Sequence, residues 1–335
     1  MTAVLCWGSV WMALASAAPA TGSMGDGGAL DPLFSPYDDS APNLLPVKKI
    51  NLMPDEKLGR PFVLDIWFPA ASGVFPVFFF LTGLNGMAPP PAYDGTMRRL
   101  AARGIIAVLP FVGLAGPSAF KKQAAEFEQD ITWMRSGGLS SALAEKAEGA
   151  VPIADLGHLV IAGHSSGGKG IVELYRRVVD RVAGVVLLEP VEVDPANMSP
   201  PSLGDEDHFD FKTPLLVTAS GLGDQPGVNL KGIWPPCAPA DASGLFFYEH
   251  FASPRWYVKA LDFGHADMLD GLFLGVMQTT RFCKSALLHN MDRFRSFLAG
   301  LIAAFIRGPV MGDPRLLRYL EDEHYISLDV ELLHD

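Results

Sequence analysis

A serine flanked by glycines stands where an apolar segment meets a helical one. The segment 160–175 reads VIAGHSSGGKGIVELY, and Ser165 lies at its apex between Gly163 and Gly167. The pattern G-x-S-x-G between a strand and a helix is typical of a nucleophile elbow, a sharp turn that exposes the serine hydroxyl. The helix that follows directs its N-terminal amides and its dipole at a developing oxyanion. The sequence therefore predicts Ser165 as a nucleophile, the alternative being an ordinary strand–helix turn.

A serine hydroxyl needs a base, and hydrolases with this turn carry an acid and then a histidine downstream of the serine. Of eight histidines, His265 alone directly follows a strand-like segment and enters a loop, in ALDFGHADMLD. We therefore predict His265 as the base. Three carboxylates near strand ends could be the acid that orients it, and we favour Glu189 over Asp224 and Asp194.

Two backbone amides are needed to stabilise the oxyanion of an acyl-transfer reaction. We expect one from Ser166, directly after the serine. We expect the other from Leu84 in LTGLNG, which follows the apolar run FFFL. Glycines on both sides of Leu84 would let this backbone approach an ester carbonyl closely.

Strand-like and helical segments alternate along most of the chain. Strand composition is found in FVLDIWF, FPVFFFLTG, IIAVLP, LVIAG, VAGVVLLEP, TPLLVTAS and RWYVKALDFGH. Helical periodicity is found in MRRLAARG, FKKQAAEFEQDITWMRSGG and DRFRSFLAGLIAAFIRG. This alternation predicts an α/β fold with a mostly parallel central sheet and helices on both faces. The site is then expected at the carboxyl ends of the strands, where the serine and the histidine both occur.

The composition restricts the class of protein. The chain has 335 residues, of which 49% are apolar and 19% charged, and its mean hydropathy is +0.22. These values indicate a folded protein with a large core rather than a disordered chain. A formal net charge of −11 argues against a nucleic-acid partner, because an acidic surface does not attract phosphates.

We divide the chain into four parts by composition. The first part is apolar and ends near a small-residue ASA motif. This composition predicts a cleaved targeting segment, the alternative being a loosely packed tail. A Gly/Pro/Asp-rich linker, a catalytic domain and an acidic C-terminal tail follow it. The boundaries are 1–20, 21–46, 47–310 and 311–335.

Three cysteines do not make a disulfide framework. Cys237 and Cys283 could pair once the first segment, with Cys6, is removed. We favour two separate buried thiols for this pair.

Several segments resemble the chlorophyllase family, the plant and algal esterases that remove phytol from chlorophyll. GHSSGGK resembles the family's GHSRGGK, LLEPV its strand-end acid segment, and FGHADMLD its histidine segment. TASGLG followed by PPCAP, and FCK followed by RFRSFLAGLIAAFIRG, are similar to further family segments. The chain departs from the family's pattern in placing Glu189 where the family has Asp and Ser166 where it has Arg. Thr82 stands where many hydrolases have His.

The resemblance implies an α/β-hydrolase fold, the triad Ser165, His265 and Glu189, and catalysis without a metal or another cofactor. The implied substrate is chlorophyll or a related phytyl-ester pigment, reached by peripheral contact with pigment-bearing membranes. The implied location is a plastid, with a secreted or endomembrane protein as the alternative. A macrocycle with a phytyl chain needs a large apolar cleft, and candidate walls in apolar loops after the strands are Met87, Phe111, Met198 and Trp234.

Two other functions fit the same residues. One is a general lipase, a cutinase-like enzyme or a phospholipid-ester hydrolase, for which a long-chain ester would suit the same apolar loops. A generalist of this kind would prefer small esters to chlorophyll. The other is a non-catalytic pigment or terpenoid binder, which would bind pigment without releasing phytol.

Overall fold

The computed structural model describes residues 35–113, 119–192, 213–230, 232–252, 254–287 and 289–335. Its strands are β1 (Val47–Leu52), β2 (Val63–Pro69), β3 (Gly73–Leu81), β4 (Ile106–Phe111), β5 (Pro152–His164), β6 (Gly184–Leu188), β7 (Leu215–Ser220), β8 (Gly227–Asn229), β9 (Gly232–Trp234), β10 (Arg255–Ala260) and β11 (Val330–His334). Its α-helices are α1 (Asp94–Ala102), α2 (Ala119–Arg135), α3 (Gly138–Lys146), α4 (Ser166–Val178), α5 (Gly244–His250), α6 (Gly271–Thr280), α7 (Met291–Phe305) and α8 (Arg318–Glu321). A turn of π-helix, Ile306–Val310, continues α7.

Among the described residues, nine strands form one sheet in the order β1-β2-β4-β3-β5-β6-β7-β10-β11. The six central strands, in the order β4-β3-β5-β6-β7-β10, are parallel to one another. β1, β2 and β11 add antiparallel pairs at the edges, and β8 and β9 form a separate hairpin. The predicted α/β-hydrolase fold with a mostly parallel sheet is confirmed.

Strand β3 shows why the sheet is apolar on both faces. Its residues from Phe75 to Leu81 are all buried, as expected of a central strand covered by helices on each side. Because side chains alternate along a strand, Phe78 and Phe80 join the core with α1 and α7, whereas Phe79 joins the core with α2 and α4. The alternation of side chains therefore determines which helices pack on each face of the sheet.

Both flanks of the sequence-defined domain pack onto it. In the described part of the linker, the Tyr37 side chain is buried, and its hydroxyl donates to the carbonyl of Tyr319 at 2.5 Å. The Arg103 guanidinium donates from Nε to the carbonyl of Pro36 at 2.6 Å. At the other end, the segment that we treated as an acidic tail instead supplies buried Leu316 and Leu320 and the edge strand β11.

Cys237 and Cys283 form a disulfide, with their Cα atoms 5.5 Å apart. The expectation of two separate thiols was therefore wrong. The hairpin explains the pairing, because β8 lies directly against the backbone after α6. An ideal Cβ on Gly227 would fall 2.3 Å from the carbonyl oxygen of Arg281. Because Gly227 packs this closely on Arg281, the chain that follows β9 passes close to Cys283, and Cys237 can bond with it.

The structure does not test two of the predictions made for the N-terminal part of the chain. The predicted targeting segment 1–20 and the first part of the linker lie outside the described residues. Within the described ranges, no helix combines the length and apolar character needed to cross a membrane.

Candidate active site

Ser165 occupies the turn between β5 and α4. Its backbone has φ 56° and ψ −128°, a region in which residues other than glycine are strained and which recurs at functional sites. The turn is so tight that a Cβ on Gly163 would lie 2.4 Å from the carbonyl oxygen of Gly167. A Cβ on Gly167 would lie 2.4 Å from the carbonyl oxygen of Leu81. Both glycines are therefore required by close backbone approach.

His265 lies in the loop after β10 and reaches the serine. Its Nε2 is 2.9 Å from Ser165 Oγ, a hydrogen-bonding distance that allows proton transfer between them. The loop is held by the buried carboxylate of Asp267. This carboxylate accepts from the amides of Gly264 and Ala286 at 2.7 and 2.8 Å and from the hydroxyl of Ser285. Sequence reasoning missed Asp267, although it stands two residues after the predicted base.

Glu189 follows β6 and is the carboxylate that the structure brings to this histidine. Its Oε1 lies 4.0 Å from Nδ1 of His265, which is too far for a direct hydrogen bond. Of the other two candidates, Asp224 is exposed and no contact joins it to His265 among the described residues. Asp194 lies outside the described residues.

Burial shifts Glu189 and His265 toward their neutral forms. Desolvation raises the pKa of Glu189 to about 8, against the lowering influence of Ser220 and Lys259, and the nearby Asp224 raises it further. Desolvation also holds the pKa of His265 well below 6.5, and neighbouring His164 acts in the same direction. The imidazole is therefore ready to accept a proton, whereas the carboxylate forms only in mildly alkaline solution.

The loop after β3 presents the second predicted amide. Leu84 and Asn85 both have φ 53°, which turns this backbone sharply. Gly83 donates its amide to the Tyr93 hydroxyl at 2.9 Å, and Asn85 donates to Oγ of Ser166 at 2.7 Å. Among the described residues no acceptor is found for the amides of Leu84 and Ser166. These two N–H groups are therefore available to a ligand oxygen.

His164, inside the elbow itself, connects the two loops. Its Nδ1 lies 2.8 Å from the Tyr93 hydroxyl, and its Nε2 lies 3.2 Å from the carbonyl of His265. Because the Tyr93 oxygen accepts from Gly83, its hydrogen is free for Nδ1, and Nε2 of His164 then donates to His265. Burial lowers the pKa of His164 to about 4, which keeps the ring neutral. Sequence reasoning missed Tyr93 and assigned no role to His164.

A cavity of about 550 Å³ opens beside Leu84. Its walls come from the β8–β9 hairpin and from α6, and they are formed by Leu84, Asn229, Leu230, Trp234, Val276, Met277, Thr279, Thr280 and Phe282. Of the four predicted wall residues, Trp234 lines this cavity. Met87 and Phe111 do not line it, and Phe111 ends β4 opposite Val63 of β2 instead. Met198 lies outside the described residues.

The chain also matches known proteins. A sequence profile of the family described as Chlorophyllase matches residues 43–332. The chain is 27% identical to Chlorophyllase-2 of Arabidopsis thaliana, over 81% of this chain and 85% of the relative. It is 29% identical to "Chlorophyllase-1, chloroplastic" of Citrus sinensis, over 81% and 80%. It is 26% identical to Chlorophyllase type 0 of Chenopodium album, over 77% and 74%.

The family match includes the serine turn, His265, Glu189 and the loop of Leu84. With its α/β-hydrolase fold, its serine turn and this match, the chain belongs to the chlorophyllase family and is a carboxylic ester hydrolase of the serine esterase type.

Proposed function

We propose that the protein hydrolyses the phytyl ester of chlorophyll, or of a related pigment, to chlorophyllide and phytol. The observation that carries this proposal is the combination of the Ser165–His265 contact of 2.9 Å with an apolar cavity of about 550 Å³ that starts at Leu84. A hydrocarbon chain would lose its contact with water in such a cavity. The chlorophyllase relatives support this substrate class.

The first half of the reaction forms an acyl-enzyme. Ser165 Oγ attacks the ester carbonyl carbon while Nε2 of His265 takes its proton, and the carbonyl oxygen becomes an oxyanion. The amides of Leu84 and Ser166 donate to this oxyanion. His265 then returns the proton to the phytol oxygen as the carbon–oxygen bond breaks.

The second half releases the pigment acid. Water gives a proton to His265 and attacks the acyl carbon, and His265 then protonates Ser165 as chlorophyllide leaves. In both halves Glu189 stabilises the imidazolium. At 4.0 Å this stabilisation acts through the electric field of the carboxylate, or through a shortened contact once substrate is bound.

The test is hydrolysis of chlorophyll a, with chlorophyllide separated by chromatography. The wild type should form chlorophyllide, and Ser165→Ala should lower kcat by at least about 10³-fold. Ser136→Ala is the matched control, because that hydroxyl bonds the Trp133 carbonyl, away from the site, and its rate should stay unchanged. No chlorophyllide from the wild type would contradict the proposed substrate.

A general long-chain esterase is the second candidate. The observation that favours it is the aliphatic and aromatic character of the cavity walls, which would accept an acyl chain as well as a phytyl chain. Values of kcat/KM for chlorophyll a, p-nitrophenyl esters and a phospholipid decide between the two. Higher kcat/KM for the simple esters or the phospholipid would select the generalist.

We also propose a plastid location, in line with the chloroplastic relatives of Citrus sinensis and Citrus unshiu. Fusion of residues 1–46 to a fluorescent protein tests this. Fluorescence outside the plastid would contradict it.

A further inference from the structure

Beside the cavity, the hairpin and α6 expose a group of large apolar side chains to solvent. We call this group the apolar rim and define it by Val228, Leu230, Ile233, Leu272, Val276 and Phe282. Leu230 is fully exposed, and Leu272 and Ile233 are exposed to 81% and 76%. Large apolar side chains exposed together beside a cavity are typical of an interaction site.

The apolar rim is continuous with the cavity. Leu230, Val276 and Phe282 of the rim also line the cavity, as does Leu84. The rings of Trp234 and Phe282 lie 5.3 Å apart and join the hairpin to the segment after α6. A hydrocarbon chain could therefore pass from the rim to the loop of Leu84 along mainly apolar surface.

Helix α6 is unusual because it contains no charged residue and none of its side chains is buried. Its sequence is GLFLGVMQTT, and none of its residues is buried. A helix without a polar face is normally enclosed by protein or placed in a membrane. Within the described residues, α6 instead leaves Leu272 and Val276 in solvent. The structure thus presents an apolar surface that the other described residues do not cover.

The charge around the rim differs from the charge of the whole protein. The chain has 37 acidic residues and a net charge of −11. The stretches 225–240 and 271–288, which contain the rim, have no Asp or Glu. Arg281 and Lys284 are exposed there. Cationic side chains at the border of an apolar patch suit the anionic surface of a lipid bilayer.

We propose that the apolar rim docks on a lipid bilayer, with its side chains at the boundary of headgroups and acyl chains and with Arg281 and Lys284 among anionic headgroups. Docking would place the cavity mouth against the membrane, so that an ester with a long hydrocarbon tail enters without crossing water. The route of the substrate rests on the proposed function, whereas the binding of the bilayer does not.

Vesicle flotation tests the docking without catalysis. The probes are vesicles of phosphatidylcholine alone and vesicles of phosphatidylcholine mixed with phosphatidylglycerol, and the protein is Ser165→Ala throughout. Leu230→Ser with Ile233→Ser should lower partitioning into both vesicles by about 100-fold. Arg281→Gln with Lys284→Gln should lower it about fivefold per charge on the mixed vesicles and leave phosphatidylcholine binding unchanged.

The matched control carries Met53→Ser with Leu58→Ser. These side chains are exposed to 65% and 58% but follow β1, an edge strand of the main sheet, to which the hairpin does not belong. Their replacement should leave partitioning unchanged. Equal loss in the control and the rim variant would overturn the proposal, because general surface hydrophobicity would then explain binding.

The remaining outcomes are also decisive. Absence of vesicle binding by the parent protein, with a dimer in gel filtration that Leu230→Ser and Ile233→Ser abolish, would overturn the proposal and make the rim a contact between two copies. Vesicle binding that depends on the rim would support the docking surface even if the wild type forms no chlorophyllide. That combination would contradict only the proposed function.

Discussion

Oε1 of Glu189 lies 4.0 Å from Nδ1 of His265, while Nε2 of the same ring is already 2.9 Å from Ser165. The base is thus engaged with the serine but is not directly hydrogen-bonded to its carboxylate. A Cβ on Gly223 would fall 2.1 Å from Oε1 of Glu189, so this carboxylate is packed tightly on the side of Gly223. In the proposed mechanism, this pair supports catalysis only when Glu189 is ionised.

Glu189 should therefore control the pH dependence of the reaction. Burial raises its pKa to about 8, so the carboxylate forms as the pH rises through that value. Since only the carboxylate stabilises an imidazolium, kcat/KM for a soluble ester should rise over the same interval. In Glu189→Gln this rise should be absent and kcat should fall by about 10²- to 10⁴-fold at alkaline pH.

Asp224→Asn is the control for this pH profile. The Asp224 charge raises the pKa of Glu189, so its removal should move the rise to slightly lower pH and keep the maximal rate. A wild-type kcat/KM that stays constant from below pH 6.5 upward would contradict the prediction that Glu189 is protonated at neutral pH. Loss of the rise in Asp224→Asn rather than in Glu189→Gln would make Asp224 the acid.

Tyr93→Phe should reduce kcat about tenfold with little change in KM. The hydroxyl is the acceptor for Gly83 and the partner of His164, so its loss loosens the oxyanion loop and the carbonyl contact of His265 together. Steady-state kinetics on a short soluble ester measures the effect. Tyr37→Phe is the matched control, since its buried hydroxyl bonds Tyr319 and should affect stability alone. Equal kcat losses in both variants would contradict a positioning role.

Joint replacement of Cys237 and Cys283 by serine should lower the free energy of unfolding by about 4 kcal/mol, as expected for a cross-link over 46 residues. The bond ties the chain after the hairpin to the chain after α6, the two walls of the cavity. KM for chlorophyll should therefore rise more than KM for a short ester. Chemical denaturation and paired kinetics measure the two effects. A parallel change of both KM values would argue against a role of this bond in shaping the cavity.

Asp130→Asn should stabilise the protein in neutral and alkaline solution. Asp130 is fully buried in α2, neither carboxyl oxygen has a hydrogen-bond partner among the described residues, and burial raises its pKa from 3.8 to about 8. The folded state then holds a proton that the unfolded state releases. The free energy of unfolding should fall between pH 3.8 and about 8, by on the order of 1 kcal/mol per pH unit.

Urea denaturation across that pH range tests this prediction. The wild type should lose stability as the pH rises, and Asp130→Asn should lose less. Asp180→Asn, an exposed substitution at the end of the same layer of helices, is the control and should follow the wild type. A wild type whose stability rises over this interval in parallel with Asp130→Asn would contradict the buried neutral carboxyl.

The sheet and the pair Ser165–His265 could be anticipated because their signals are local. Strands such as β3 are apolar on both faces, so their composition alone separates them from the helices. The elbow is specified by glycines within a few residues of Ser165, and His265 directly follows β10. The carboxyl ends of parallel strands then bring the two residues to one edge of the sheet.

The remainder of the site depends on contacts between distant segments. Tyr93, Asp267 and the pairing of Cys237 with Cys283 become meaningful only once loops from different strands meet. Helix α6 has no amphipathic period, so nothing in its sequence indicates which face would be covered. The composition predicts a tail where β11 is found, because an edge strand with one exposed face retains polar residues such as Glu331.

The docking of Pro36 and Tyr37 shows that the catalytic fold extends upstream of β1. Tyr37 stacks on Phe297 with ring centroids 5.7 Å apart, and Pro36 accepts the bond from Arg103. Loss of these two residues would open a gap between α1 and α7. A shortened chain should therefore keep its stability only if it retains both of them.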